Sequence, residues 1–256
     1  GMSQKSLNCY STHAPKMDWI AQYFKYKDEF DSNNDLGSQM FSFFKRFLRD
    51  ADLLDNKGFS RTARIIERCG LDDLSAWGIM LANLAYTPQI GWVIKNFEFR
   101  ENVSRNYAIS RLMDDGTQER AANDIWRSYS RFIDLPFSEI GLGVPDKDNG
   151  KTVSFTRISW LNPEPKVILY ALYKFSEACG NYKQFSLTRL LNHEIESDGI
   201  SPTQIFGLDR TTMERILNGL SNNYPDFISV SFTLDLDNIN LKDKTSDDVL
   251  SLFEGV

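Results

Sequence analysis

Several familiar signals are missing from this chain, and each absence excludes a class of protein. No apolar run approaches the roughly 20 residues that span a bilayer, so no membrane association is expected. The opening residues "GMSQKSLNCYSTHAPK" lack the apolar stretch of a secretory signal. Only three cysteines occur, Cys9, Cys69 and Cys179, an odd number and far apart, which fits a reduced cytoplasmic protein better than a disulfide framework. Zinc needs clustered ligands, yet there is no CxxC and the only histidines are His13 and His193. No GxxxxGK[ST] or GxGxxG loop can cradle a phosphate, and neither a GxSxG elbow nor an HExxH helix is present. The fragment "GLG" at 141–143 reads as a plain turn. Positive charge is also in short supply. The net charge is −6, and both halves are acidic, with 19 basic and 21 acidic residues in 1–150 and 10 and 14 in 151–256. A site for a polyanion must therefore be a local patch.

What the chain does have is apolar and aromatic mass. Hydrophobic residues make up 41% and aromatic residues 13%, with 18 Phe and 10 Tyr, too much for a disordered chain. At 256 residues it can be one large domain or two smaller ones. The patterning is mainly helical. "PKMDWIAQYFKY" predicts a first helix. Ser38 can cap "QMFSFFKRFLRDADLL", where Met40, Phe44, Phe47, Leu48 and Ala51 recur at helical spacing. Ser60 can cap "RTARIIERC", with Gly70 at its end. Residues 38–70 thus read as a helix-turn-helix-like pair joined by a tight turn. "DDLSAWGIMLANLAY" is apolar nearly all round and predicts a buried helix. Thr87 with Pro88, Ser104 and Thr117 open three more. "GLGVPDKDNGKTVSFTRISW" predicts a short hairpin with Val153, Phe155 and Arg157 alternating, and a domain boundary near residue 150.

In the second half, "VILYALYKFSEACG", "LTRLLNHEIES" after Ser186 and "RTTMERILNGLSNN" after Asp209 read as helices, with "DGISPTQIFGL" as a turn between the last two. "FISVSFTLDL" then alternates, with Ile228, Val230, Phe232 and Leu234 expected to face inward, and "NINL" pairs with it. Ser246 caps a last helix. A helix followed by a hairpin is the end of a winged helix. The expected fold is mainly α with small β-hairpins: a helical part over 1–150 and a winged-helix-like part over 151–256.

Candidate chemistry is sparse. Cys69 and Cys179 precede helix-ending glycines and read as small core residues. His193 reads as a surface or capping residue. Cys9 lies in a polar, untethered segment and is the candidate reactive thiol. The pairs Asp72–Asp73 and Asp247–Asp248 suit helix N-termini. Asp114–Asp115 falls at a helix C-terminus, where only solvent exposure accounts for it. No catalytic residue, metal or cofactor is expected.

One patch has excess positive charge. Residues 45–68 hold seven basic residues against four acidic ones. Lys45, Arg46 and Arg49 lie on the first helix of the pair, and Arg61, Arg64 and Arg68 form a stripe on the second, with Lys57 between them. Such a stripe can contact phosphates, or it can be a solvated face with local acidic partners. The winged-looking stretch 209–241 holds two basic and five acidic residues. Phosphate repulsion would oppose groove insertion there, since non-specific DNA affinity comes from cations. Its charge favours a structural or protein-binding role.

Four stretches carry a family resemblance: "LGSQMFSFFKRFLRDADLL", "AWGIMLANLAYTPQIGW", "VILYALYKFSEACG" and "SPTQIFGLDRTTMERILNGLSNNYPDFISVSFTLDLDNI". Together they resemble the C-terminal region of bacterial phosphoadenosine-phosphosulfate (PAPS) reductase-like proteins. More distantly, they resemble an uncharacterised family found near DNA phosphorothioation gene clusters. The likeness runs from about residue 9 to the end and includes no catalytic signature. In the reductase-like proteins, nucleotide chemistry belongs to an α/β domain with an SGGxDS-type loop, which is absent here. The resemblance implies a non-catalytic accessory module, partnered by a PAPS reductase-like domain or protein. Direct DNA binding through the helix pair at 45–68 is the alternative.

Overall fold

The computed structural model describes residues 6–254. Helices dominate, and three small antiparallel sheets sit among them. α1 (Met17–Tyr26) leads through a 3₁₀ turn to α2 (Ser38–Asp50). Ser38 is the first helical residue of α2 rather than its cap. Gly37 occupies the cap position and has no side chain to accept a bond. α3 (Arg61–Cys69) follows, capped by Ser60, whose hydroxyl accepts from the Ala63 N–H. The connection between α2 and α3 is longer than the tight turn expected. It contains a hairpin of β1 (Leu54–Asp55) and β2 (Gly58–Phe59), with Gly58 at φ 105°.

α4 (Leu74–Leu84) is the centre of the molecule. Residues 75–84 are all buried, as an all-round apolar helix should be. It packs against α8 (Pro165–Ala178), nine of whose residues are buried. Gly78 permits this approach: a Cβ there would lie 2.8 Å from the Trp160 ring and 2.9 Å from Val167. One polar link joins the pair, and a second ties α4 to the end of α2. Tyr170 OH donates to Asn83 Oδ1 at 2.6 Å, and Asn83 Nδ2 donates to the Ala51 carbonyl at 3.0 Å.

Around this pair lie α5 (Pro88–Asn96), α6 (Arg105–Asp114) and α7 (Glu119–Phe132). Gln118, not Thr117, holds the N-cap position of α7. β3 (Asn102–Ser104), β4 (Val144–Asp148) and β5 (Lys151–Thr156) form a sheet in the order β3-β5-β4. The hairpin expected around residue 150 is therefore present, and β3 adds a third strand to it. The boundary expected near residue 150 falls in the β4–β5 turn, between two paired strands. The main cluster of buried residues, from Cys9 to Phe253, includes residues on both sides of it.

The remaining elements are β6 (Gln184–Ser186), α9 (Leu187–Leu191), α10 (Pro202–Phe206), α11 (Arg210–Asn223), β7 (Ile228–Phe232), β8 (Asp237–Leu241) and α12 (Ser246–Leu250). α10 stands where a turn was expected, and β6 was not anticipated. These strands form a sheet in the order β6-β8-β7. Thr245 rather than Ser246 caps α12, through a reciprocal capping box with Asp248. Ser246 instead bonds Glu177 of α8 through both its N–H and its hydroxyl, at 2.7 and 3.0 Å. Among the described residues, no helix is long and apolar enough to cross a membrane.

Candidate functional site

The basic helix pair is where local charge first pointed, and most of its cations are held. Arg61 reaches across to the C-terminal segment. Its Nε donates to Glu254 Oε1 at 2.9 Å, Nη1 to the Asp247 carbonyl at 2.9 Å and Nη2 to Ser251 Oγ at 2.6 Å. Arg68 donates to the Glu254 carbonyl at 2.7 Å. Lys45 pairs with Asp31 at 3.1 Å, and Arg46 lies 3.7 Å from Asp50 one turn on. Arg64 is exposed and donates to the Phe59 carbonyl at 3.2 Å. Arg49 and Lys57 are exposed and form no salt bridge among the described residues. The stripe on α3 thus divides: Arg61 and Arg68 fasten the chain's end to the body, and Arg64 faces solvent.

α11 and the β7–β8 hairpin form the second candidate region. Asp209 caps α11 by accepting from the Thr212 N–H at 2.9 Å, and this bond holds its carboxyl below the usual range. Met213, Ile216, Leu217 and Leu220 are buried, as their spacing predicts. Arg210 turns to the hairpin and lies 3.4 Å from Asp237 Oδ2. The same carboxylate accepts from the Thr188 hydroxyl at 2.5 Å and the Thr188 N–H at 2.8 Å. Those bonds, the hydroxyl above all, then Arg210, hold the Asp237 carboxyl low. One of the two cations of this region is therefore consumed at the turn end of the hairpin, where Asp237 opens β8 opposite Phe232, and Arg215 is left.

The inward face of the hairpin is shorter than the alternation suggests. Ile228 is buried, while Val230 and Phe232 are only half-buried. Leu234 is fully exposed, against the expectation that it faces inward, because β7 ends at Phe232 and residues 233–236 form the connecting turn. Once the strand ends, alternation no longer assigns a side chain to a face. Leu236 is exposed beside it, with Asp235 between them. The tip is thus apolar and flanked by acid.

Cys9 is not the accessible thiol expected of an untethered segment. It is buried, and burial raises its pKa. Its neighbour Tyr10 explains the anchoring: the phenol donates to Asp50, and the ring packs 5.2 Å from Phe132. Cys69 and Cys179 are half-buried against the core, in line with their small-core reading. His193 lies beyond the end of α9, exposed, with Nε2 2.7 Å from Thr203 Oγ1. Asp115 has a role that sequence did not suggest, accepting from the Trp92 indole N–H at 2.8 Å.

Sequence reasoning also missed Arg157, which it placed only as one position in an alternating strand. The side chain is buried at 1% exposure. Its Nε donates to Gly141 O at 2.7 Å, Nη1 to Phe97 O at 2.7 Å and Ile94 O at 3.1 Å, and Nη2 to Gln204 O at 2.7 Å and Ile205 O at 3.3 Å. The guanidinium also stacks 4.0 Å from the Phe99 ring centre. The "GLG" turn is part of this knot. Gly141 has φ 140°, and a Cβ there would lie 2.1 Å from the Ile205 carbonyl oxygen. No local pattern reports contacts to residues so distant in sequence.

No curated protein matches the chain in sequence. The fold is similar to that of the crystal structure of magnesium ion-bound SspB, with a TM-score of 0.67 and 14% identity, over 98% of this chain and 87% of that one. At that identity the likeness is one of fold. The family described as "Protein of unknown function (DUF4007)" matches residues 109–255. The match begins within α6 and runs through the β4–β5 hairpin to the C-terminal segment, taking in Arg157 and the exposed hairpin tip. It spans more than half of the sequence, and the chain belongs to the DUF4007 family.

Proposed function

We propose that the chain is a non-catalytic interaction module, cytoplasmic, whose winged-helix-like C-terminal part docks onto a partner protein. The observation that carries this reading is the β7–β8 tip, where Leu234 and Leu236 are exposed on either side of Asp235. Exposed leucines grouped at one turn gain by burial against a partner, and the acid beside them suits a basic rim. The same charge works against DNA at this end, because Arg210 is already spent on Asp237. The winged-helix reading is supported by the order α8, β6, α9, α10, α11, β7, β8 and by the strand order β6-β8-β7. The partner is a PAPS reductase-like enzyme or an enzyme of a DNA sulfur-modification system, on the strength of the sequence resemblance alone. SspB was crystallised with magnesium. Here no group of three or more His, Cys, Asp or Glu side chains gathers as a metal site among the described residues.

The test mixes the purified chain with the PAPS reductase-like enzyme of the same genome and measures affinity by calorimetry. Leu234→Ser with Leu236→Ser should weaken the complex about tenfold or more without lowering the melting midpoint. No complex, or one indifferent to these changes, overturns the reading. Binding of duplex DNA that falls steeply with salt and is lost in Arg49→Gln with Arg64→Gln would put the helix pair in its place.

A further inference from the structure

A cleft lies between α11 and the loop that leads into α8. Its volume is about 410 Å³, inside the range of about 300–1,000 Å³ typical of small-ligand sites. Ile216 and Leu220 of α11 and Pro163 and Pro165 of the loop supply apolar surface. Two cations line it from different elements, Lys166 at the start of α8 and Arg215 on α11. Neither forms a salt bridge among the described residues, although Asp209 lies within electrostatic reach of Arg215 and the Lys166 ammonium stands 4.8 Å from the Phe253 ring centre. The one carboxylate in the lining, Glu164, is turned to the α8 N-terminus, where it accepts from the Lys166 N–H at 3.3 Å.

Gly219 is a second feature of the cleft. It sits inside α11, a 14-residue helix, and lines the cleft. Glycine within a helix is less stable than alanine, because the unfolded chain loses more freedom on folding. A close neighbour usually explains such a residue, as Trp160 and Val167 do for Gly78. At Gly219 an added Cβ would meet nothing within 4 Å. Packing within the protein gives no reason for the glycine. A ligand lying against the helix backbone does, because any side chain would occupy its place.

We propose that this cleft binds a nucleoside monophosphate, with the phosphate held between Lys166 and Arg215 and the base laid over Gly219 against the proline and Tyr224 surfaces. The two cations set the anionic end, since charge-assisted bonds to phosphate are the strong ones in a partly exposed site. Asn162 and Asn223 also line the cleft, and each amide carries both donors and an acceptor that can meet a base or ribose edge.

The experiment titrates the full chain with AMP, GMP, CMP and UMP by calorimetry, with adenosine as the phosphate-free control. At least one monophosphate should bind, and adenosine should bind about tenfold more weakly than AMP or not at all. Lys166→Gln with Arg215→Gln should weaken monophosphate binding about tenfold or more. Gly219→Leu should abolish it while the melting midpoint stays at or above that of the parent, because the added side chain enters open space. Gly219→Ala, the milder change, guards against a folding defect in the leucine variant and should weaken binding with a raised midpoint. Failure of all four monophosphates to bind at millimolar concentration overturns the proposal. Full binding by Gly219→Leu also overturns it, as does binding confined to a single-stranded oligonucleotide.

Discussion

A guanidinium buried without a carboxylate needs another source of negative potential, and Arg157 finds it in backbone carbonyls. Ile94 and Phe97 lie at the C-terminal end of α5, and Gln204 and Ile205 lie in the last turn of α10. The last carbonyls of a helix lack intrahelical partners and carry its negative pole. One planar fork can satisfy two such ends and Gly141 at once. Burial pulls the pKa of Arg157 down to about 10, so the residue stays charged at neutral pH. Arg157→Met should therefore cost at least ~3 kcal/mol, since each buried carbonyl left without a donor costs about 1–3 kcal/mol. Arg157→Lys should recover only part of this, because three rotatable donors cannot reproduce five fixed ones. Urea denaturation of the two variants measures both. A loss below ~1 kcal/mol for Arg157→Met would show that water replaces the guanidinium at the helix ends.

At the scale of the element, the β7–β8 hairpin grades from core to solvent along its length. Ile228 is wholly buried, Phe232 half-buried and Leu234 fully exposed. Ile228→Ala should cost about 2–4 kcal/mol, as other buried large-to-small changes do. Phe232→Ala should cost less, about 1–2 kcal/mol, because part of the ring is already in water. Leu234→Ala should stay within about 0.5 kcal/mol. Equal losses at all three positions would mean that the tip packs against the body. The turn end of the hairpin should also sense acid, through Asp237. The Asp237 and Asp209 carboxyls are held below the free aspartate value of 3.8, so the stability they add is present above it and is lost as pH falls through their lower folded values. The stability gap between the parent and Asp237→Asn, measured by denaturation at pH 7, 4 and 3, should accordingly be largest at pH 7 and close towards pH 3. A gap that widens in acid would contradict the bonds from Thr188 and Arg210.

Taken whole, the molecule should unfold in one step. The α4–α8 contact, the β3–β5 pairing and Arg157 all join residues on either side of position 150, and the buried cluster is continuous across it. Helix signal and tryptophan emission should therefore melt together, with calorimetric and van't Hoff enthalpies equal. Two resolved transitions would instead support a division into two domains near residue 150. Residues 151–256 expressed alone should lack cooperative melting, since α8 would lose the face it buries against α4 and β5 both of its partner strands.

The sequence by itself determined most of the helices and their caps. Ser60, Ser104, Ser186 and Asp209 each accept from the backbone where local pattern places them, because capping is a contact of two or three residues' reach. It also determined that α4 is buried, since a helix apolar all round has no face to give to water. It also fixed the charge balance of 209–241, two basic residues against five acidic ones. Tertiary structure decided what depends on residues far apart. It buried Cys9 by anchoring Tyr10 to Asp50 and Phe132, turned Arg61 and Arg68 to the chain's end, and added β3 and β6 to hairpins that alternation could see only as pairs. It turned Leu234 outward by ending β7 two residues early. It also gave Arg157 its carbonyls and left the space beside Gly219 open. The reason is physical: periodicity reports which side of an element is apolar, whereas a partner's identity and an unfilled space are set by the packing of elements that are distant along the chain.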